Sequence, residues 1–376
     1  MLCIQDPEYK NSVLLNEALL EVCENACYGA GTYAFVSAEG IDLLMNNSIF
    51  ETFIEKGSYE LIIGMDDITN SNTLVTVKKF QNKYKNLSVK AFVHTTQSSV
   101  YHPKFSWFKC EEGGYLVTGS GNLTHKGLRK NREAYVLEKL TVEQIAEIEV
   151  QWKEWISSCR EYLLDIDDLR VIEKAEENKR KRYKNIDEKV SSNREKKRKK
   201  EVIEKRKAIE CEDENGAWSF SEEAAVLLAE IPVGRDRKLK KWCQANFDIE
   251  TLKTFFGTKP NAKYEVILRC ITNEGLILNI EKRQVISKGS VNYCFELTPP
   301  KDTLYPEEGR PIGVFVKIAM RTFLYMIIMP EDEYHDSLRI KLDKNRIRED
   351  RMVRCRLNVK ELIAICEDLP ILDYVE

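Results

Sequence analysis

The chain has 376 residues, of which 43% are hydrophobic and 32% are charged, and its formal net charge is −3 at pH 7. The length allows two domains with separate cores, and the charge balance excludes a polycation that binds nucleic acid through its overall charge. No apolar run is long enough to span a membrane, and the first ten residues lack the layout of a signal peptide. Eleven scattered cysteines and only four histidines favour reduced thiols over disulfides or a structural zinc site. These features predict a cytoplasmic protein without a membrane partner.

Helix-like and strand-like patterns alternate along the first part of the chain. Apolar residues at helical spacing predict helices over residues 11–28, 39–56, 72–85 and 143–164. Short apolar runs predict strands over residues 32–38, 59–64, 87–95, 115–118 and 132–140. We therefore expect a layered α/β domain over residues 1–168, with functional side chains at strand ends and in loops.

The composition changes after this domain. Lysine, arginine and glutamate dominate residues 169–214, and no proline or glycine interrupts residues 171–210. This pattern predicts a charged helical linker, for which a solvated helix is favoured over a basic strip that contacts phosphates; both can hold. From residue 215 onward, turn signals separate predicted strands over residues 224–231, 264–270, 274–280, 293–297, 312–319 and 322–329. A compact, mostly β domain over residues 215–376 is expected, with a barrel as one possible form.

One stretch, residues 100–136, carries the candidate chemistry. His102 and Lys104 are separated only by Pro103. Alternate side chains of an extended strand share a face, so a potential nucleophile or acid would lie beside a fixed positive charge. By itself, a His-x-Lys triplet is more often structural than catalytic.

The second half of this stretch adds donors and a carboxylate. Glycines flank Ser120, so backbone N–H groups there could approach a phosphate closely. Ser120 and Asn122 offer neutral donors, and Glu133 could hold an imidazole in one tautomer. The glycine-rich segment alone would equally fit an ordinary hairpin turn. Together, the residues suit attack on a phosphodiester without a metal ion.

The full combination of His-x-Lys, a strand-like segment, Gly-Ser-Gly-Asn and Asn-Arg-Glu resembles the catalytic motif of the phospholipase D superfamily, in the form used by its nucleases. More narrowly, it is similar to the metal-independent restriction endonucleases of the BfiI/NgoFVII type. One departure is that Lys109 stands where the superfamily pattern has aspartate. In the family that aspartate is less directly involved in the chemistry than the histidine and the lysine.

The resemblance implies a reaction without a metal or other cofactor, in one active centre shared by two subunits. The motif count agrees, because double displacement needs one histidine to attack and another to protonate the leaving oxygen, while the chain has a single His-x-Lys. A symmetric homodimer through the N-terminal domain supplies both. His102 would form a phosphohistidine, Lys104, Asn122 and Ser120 would hold the non-bridging oxygens, and Glu133 would orient the imidazole. Asn131 is a weaker candidate, because it could simply shape the turn.

Two polar segments of the C-terminal domain, residues 231–247 and 283–293, would each fit a solvated loop. Together with residues 229–232, 244–248, 255–257 and 309–313, they resemble the C-terminal domain of the same restriction enzymes, a pseudo-barrel related to the B3 DNA-recognition domain of plant transcription factors. The resemblance implies two arms that grip the major groove of double-stranded DNA. The predicted DNA contacts are Arg235, Arg237, Lys238, Lys240, Trp242 and Gln244 in the first arm, and Ser287, Lys288, Ser290 and Asn292 in the second.

The leading hypothesis is therefore a hydrolase, a type II-like restriction deoxyribonuclease that acts in phage defence beside a cognate DNA methyltransferase. Some relatives work with a separate ATP-driven helicase subunit, and this chain has no Gly-x-x-x-x-Gly-Lys-Ser/Thr loop of its own. The alternative from another class is a DNA-binding protein whose phospholipase D-like domain is silent and serves for dimerisation. A phosphatidyl-transferring enzyme is disfavoured by the single motif, the missing aspartate and the absence of an apolar run of membrane-spanning length.

Overall fold

The computed structural model describes residues 1–9, 11–94, 99–192, 216–233, 244–288, 292–298, 304–346 and 352–376. The chain forms two compact units, Met1–Ala217 and Trp218–Glu376. Across these ranges, no helix combines the length and apolar character needed to cross a membrane.

The first unit is built on a mixed sheet, eight-stranded over the described residues. Its strands are β1 (Leu2–Gln5), β2 (Ala26–Tyr33), β3 (Ser58–Gly64), β4 (Leu87–Phe92), β5 (Lys104–Cys110), β6 (Gly113–Gly119), β7 (Glu133–Leu140) and β8 (Leu163–Asp165). Their order across the sheet is β1-β7-β6-β5-β2-β3-β4-β8. Strands β2, β3 and β4 run parallel, whereas β5, β6 and β7 form an antiparallel meander. One edge therefore collects the carboxyl ends of β2, β3, β4 and β6 and the amino ends of β5 and β7.

Helices cover both faces of this sheet. They are α1 (Leu15–Cys23), α2 (Ala38–Met45), α3 (Ser48–Lys56), α4 (Ser71–Lys83), α5 (Val142–Ser158) and α6 (Leu169–Ser192). Successive residues of β5 point to opposite faces. Phe108 stacks on Tyr59 with 5.8 Å between ring centroids and meets Phe53 of α3 at 6.0 Å. Trp107 packs instead in a cluster with Ile145 and Trp152 of α5. A mixed α/β architecture is thus confirmed for this unit.

Strand β2 differs most from the prediction, which extended a helix to residue 28 and placed a strand over residues 32–38. Helix α1 ends at Cys23, and β2 begins at Ala26. Its central glycines interrupt the apolar pattern from which strands are predicted, yet the packing of β2 against neighbouring rings requires glycine there. A Cβ on Gly29 would lie 2.8 Å from ring atoms of both Phe108 and Tyr59.

Three further elements correct the predicted boundaries. The helix expected over residues 39–56 is two helices, because the side chain of Asn47 accepts a bond from the backbone N–H of Ile49 (2.9 Å) and starts α3. The helix expected over residues 143–164 ends at Ser158, and β8 follows as an antiparallel partner of β4. Strand β1, which pairs with β7, was not predicted.

Over the described residues, the second unit contains two sheets that share an apolar core. Its strands are β9 (Ala225–Glu230), β10 (Gln244–Phe247), β11 (Val266–Ile271), β12 (Ile277–Arg283), β13 (Ile286–Lys288), β14 (Asn292–Glu296), β15 (Ile312–Ala319), β16 (Thr322–Ile328) and β17 (Arg354–Asn358). The larger sheet has the order β12-β11-β16-β15-β9-β17, and the smaller has the order β10-β14-β13. Phe247 and Phe295 of the smaller sheet meet Phe315 of the larger sheet in the core, and Phe256 packs against Phe315 there.

Helices α7 (His335–Asp343) and α8 (Val359–Ile365) and strands β10, β13 and β17 of this unit were not predicted. Each of these strands has only three to five residues, too few for an alternating pattern to stand out.

Candidate active site

The residues of the His-x-Lys and Gly-Ser-Gly-Asn segments meet at the edge of the first sheet where β5 begins and β6 ends. Phe105 of β5 lies opposite Thr118 of β6, and Gly119 lies opposite Tyr135 of β7. This register brings together the start of β5, the turn after β6 and the start of β7. His102 and Ser120 are exposed there, and Lys104, Asn122 and Glu133 are half-buried.

His102 and Lys104 form the pair that the spacing predicted. The Nζ of Lys104 lies 3.0 Å from Nδ1 and 3.1 Å from Nε2 of His102, and it donates to the backbone carbonyl of His102 at 3.1 Å. Burial lowers the pKa of the Lys104 ammonium, and the negative charge of Glu133 partly opposes this effect. The ring of Phe35 meets the imidazole edge-on, with 5.8 Å between centroids.

Glu133 is held by two neighbours. Its Oε2 accepts a hydrogen bond from the hydroxyl of Ser120, and its Oε1 accepts from Nδ2 of Asn131 at 3.0 Å. The Ser120 Oγ also accepts from the backbone N–H of Ala134 at 3.1 Å. In this arrangement the serine proton points at Glu133, so the predicted role of Ser120 toward phosphate oxygens requires that proton to turn away. The predicted contact between Glu133 and the imidazole of His102 is not among the hydrogen bonds that the described residues make.

Asn122 is oriented by the backbone. Its Oδ1 accepts from the N–H of Phe35 at 3.0 Å, so Nδ2 is the end left to donate toward a ligand. Gly127 packs directly against it, and a Cβ on Gly127 would lie 2.7 Å from the backbone nitrogen of Asn122. The turn between β6 and β7 therefore requires glycine at this position.

Two supporting residues were missed by sequence analysis. Gln5, fully buried at the end of β1, donates from Nε2 to the carbonyls of Gly127 and Asn131, both at 3.0 Å. Its Oε1 accepts from the N–H of Leu15 at 2.9 Å. The buried Arg129 guanidinium lies 3.8 Å from a carboxylate oxygen of Glu17. No local signal pointed to Gln5, because the apolar Leu2 and Ile4 beside it are the exposed residues of β1.

Lys109 stands at the aspartate position of the superfamily pattern. It lies near the far end of β5, about 16 Å along the strand from Lys104, and its Nζ contacts Glu149 of α5 at 2.9 Å. The departure from the pattern therefore lies away from the edge of the sheet that carries His102.

An apolar pocket of about 610 Å³ adjoins the site on the sheet face that carries α5. Pro103 and Phe105 line it beside the His-x-Lys segment, and Ile148, Trp152 and Trp155 line it from α5. Trp155 and Ile148 are only half-buried, so the pocket opens to the surface. In the described ranges, no group of three or more His, Cys, Asp or Glu side chains could hold a metal ion.

The predicted DNA-reading residues are only partly placed. Arg235, Arg237, Lys238, Lys240 and Trp242 of the first arm, and Ser290 of the second, lie outside the described residues. Gln244 opens β10 opposite Glu296, whereas Lys288 of β13 lies opposite Asn292 at the start of β14. Ser287 pairs with Tyr293. The described residues of both predicted arms thus lie in the same small sheet. Gln244 and Lys288 lie opposite the two ends of β14, about 13 Å apart along that strand.

No protein-family model matches the chain, and no curated protein matches it. Among solved structures, it is similar to NucT from Helicobacter pylori (13% identity, TM-score 0.30) and to Nuc from Salmonella typhimurium, a phospholipase D family member (15% identity, TM-score 0.31). Each similarity covers 44% of this chain and 98% of the other. A mutant of yeast tyrosyl-DNA phosphodiesterase is also similar (10% identity, TM-score 0.28), over 47% of this chain and 40% of that one. At such identities and scores, the activities of these proteins do not carry over to this chain.

Proposed function

We propose that this chain is a sequence-specific, metal-independent DNA endonuclease of a restriction system. The observation that carries the proposal is the exposed His102 imidazole with the Lys104 ammonium within 3.1 Å of both ring nitrogens. A nucleophile beside a partly desolvated cation suits attack on an anionic phosphodiester, because the cation offsets the charge that develops on the phosphate oxygens.

The proposed reaction has two displacements at phosphorus. A ring nitrogen of His102 attacks, so that a P–N bond forms while the P–O bond to the leaving oxygen breaks. His102 of the partner subunit gives its proton to that oxygen and then takes a proton from water. The water oxygen attacks phosphorus, the P–N bond breaks, and His102 is regenerated. Lys104 and Asn122 contact the non-bridging oxygens, and Glu133 with Asn131 fixes the loop that contains Ser120.

The second histidine requires a second copy of the chain. We propose that the pocket lined by Pro103, Phe105, Ile148, Trp152 and Trp155 lies in the dimer interface. It is apolar, opens to the surface and is lined by Tyr101 and Pro103, the residues on either side of His102 in the chain. Covering it with the partner would remove apolar area from water and bring the two His-x-Lys segments together.

DNA recognition is assigned to the second unit. The small sheet β10-β14-β13 gathers the described ends of both predicted arms, and we propose a B3-like grip on the major groove. Arg, Lys and Gln side chains suit phosphates and base edges. A cognate methyltransferase and an ATP-driven translocase subunit are further proposed partners.

The test is plasmid cleavage by the purified chain in excess EDTA, with His102→Ala at equal concentration as the control. We expect discrete fragments from the wild type and none from the variant. A requirement for magnesium, or cleavage by His102→Ala, would contradict the proposal. Specific binding without cleavage, even after a translocase and ATP are added, would favour the DNA-binding alternative.

A further inference from the structure

The loop between β3 and α4, residues 65–69, supports two segments next to His102: the residue that precedes it and the segment that contains Phe35. The Oδ2 of Asp66 accepts a hydrogen bond from the backbone N–H of Tyr101, the residue before His102, at 3.2 Å. The Oγ1 of Thr69 accepts from the N–H of Val36 at 3.2 Å. Val36 follows Phe35, whose ring contacts the His102 imidazole. A shift of this loop would therefore displace both Tyr101, which precedes His102 in the chain, and the segment of Phe35, whose ring packs against the imidazole.

The loop is itself fastened by one side chain of the linker helix α6. Asn178 is 2% exposed, and its Nδ2 donates to the carbonyl of Met65 at 2.7 Å and to that of Thr69 at 2.8 Å. Both amide hydrogens are thus used on the two ends of the loop. Between these ends, Asp67 has φ of +48°, a left-handed conformation that non-glycine residues seldom adopt without support.

Asn178 belongs to a buried stripe on an otherwise charged helix. Ala175 and Val171 are fully buried one turn and two turns before it, respectively, and α6 contacts α4. A buried polar side chain among apolar neighbours needs partners, and those of Asn178 lie at the catalytic edge. Helix α6, which begins where the linker was predicted, is therefore hydrogen-bonded directly to the loop that supports His102.

We propose, on the basis of the nuclease function proposed above, that Asn178 is a positioning residue through which α6 sets the place of His102 for attack. Its two hydrogen bonds fix residues 65–69, Asp66 then fixes Tyr101, and His102 follows in the chain. Displacement of a nucleophile by about 1 Å can cost on the order of 10²-fold in rate. The start of the predicted linker, helix α6, therefore helps to hold His102 in place in addition to connecting the two domains predicted from sequence.

The first test compares Asn178→Asp with Val171→Ala in the full-length chain. Aspartate keeps the shape of Asn178 but lacks both amide donors, whereas Val171→Ala loosens the same buried stripe without touching the loop. The assay is hydrolysis of bis(p-nitrophenyl) phosphate in EDTA, with thermal unfolding recorded for each variant. We expect kcat to fall about 10- to 100-fold in Asn178→Asp with little change in KM, and to stay within about twofold in Val171→Ala at a comparable loss of Tm.

A second pair of variants approaches the same route from the loop, and it decides the question if Asn178→Asp does not fold. Asp66→Ala removes the acceptor for the Tyr101 N–H, while Asp66→Asn keeps an oxygen in its place. We expect a loss of kcat in Asp66→Ala that Asp66→Asn largely restores. Equal losses in both Asp66 variants, or an unchanged kcat in folded Asn178→Asp, would overturn this inference alone. No hydrolysis by the wild type would overturn the proposed function and the positioning role with it.

Discussion

Among single residues, the proposed chemistry depends on the Lys104 ammonium, which lies beside the imidazole of His102. Lys104 opens β5, and its half-buried ammonium contacts the imidazole of His102. Partial removal from water strengthens the attraction between this cation and a phosphate, and it also makes the charge easier to lose. Both effects follow from the half-buried position of Lys104 at the start of β5.

The pH dependence of Lys104 gives a test at this scale. Burial lowers its pKa below the ordinary value of 10.5, so raising the pH removes its charge earlier than it would for an exposed lysine. As the pH is raised, we expect kcat for bis(p-nitrophenyl) phosphate to decline with a midpoint below pH 10.5, after subtraction of spontaneous hydrolysis.

Two variants of Lys104 check this assignment. Lys104→Met should lower kcat about 10²- to 10³-fold, the usual cost of losing one group that stabilises charge in the transition state. Lys104→Arg keeps its charge to higher pH, so whatever activity it retains should lack the alkaline decline. A decline that persists unchanged in Lys104→Arg would assign it to another group.

At the scale of elements, the part of the site that sequence could predict lies within one antiparallel meander. Strands β5, β6 and β7 are consecutive, so short-range spacing was enough to bring His102, Lys104, Asn122 and Glu133 to one edge. Gln5 and Asn178 come from distant parts of the chain and reach the site only through tertiary packing. The glycines of β2 show the same limit of prediction from sequence. The structural reason for glycine at position 29 is seen only when the rings of Phe108 and Tyr59 are packed against it.

Helix α5 gives the test of the proposed dimer. Ile148 lines the pocket beside the site, whereas Val150 on the same helix is 55% exposed and does not. Glutamate in an apolar interface costs several kcal/mol unless it finds a partner, so Ile148→Glu should be monomeric and should no longer cleave plasmid. Val150→Glu is the matched control and should remain dimeric and active. Sedimentation velocity with circular dichroism would measure assembly and folding, and a dimeric, active Ile148→Glu would exclude this interface.

At the scale of the whole molecule, two compact units correspond to the two proposed tasks, cleavage and recognition. The alternation of helices and strands predicted the class of the first unit because β2 to β7 each have six to eight residues. The second unit was harder to predict, since β10, β13 and β17 are short, and β10 and β17 pair with strands far away in sequence. Helix α6 (Leu169–Ser192) belongs to the first unit, and Val171, Ala175 and Asn178 form a buried stripe that the charged composition of the helix did not predict.

The stereochemistry at phosphorus distinguishes two-step cleavage through His102 from direct attack by water. The measurement is cleavage, in EDTA and ¹⁸O-labelled water, of a DNA site that carries a phosphorothioate of known configuration at the scissile bond. Each displacement inverts phosphorus, so two displacements through a phosphohistidine predict retention of configuration. Inversion would mean direct attack by water and would contradict the role assigned to His102.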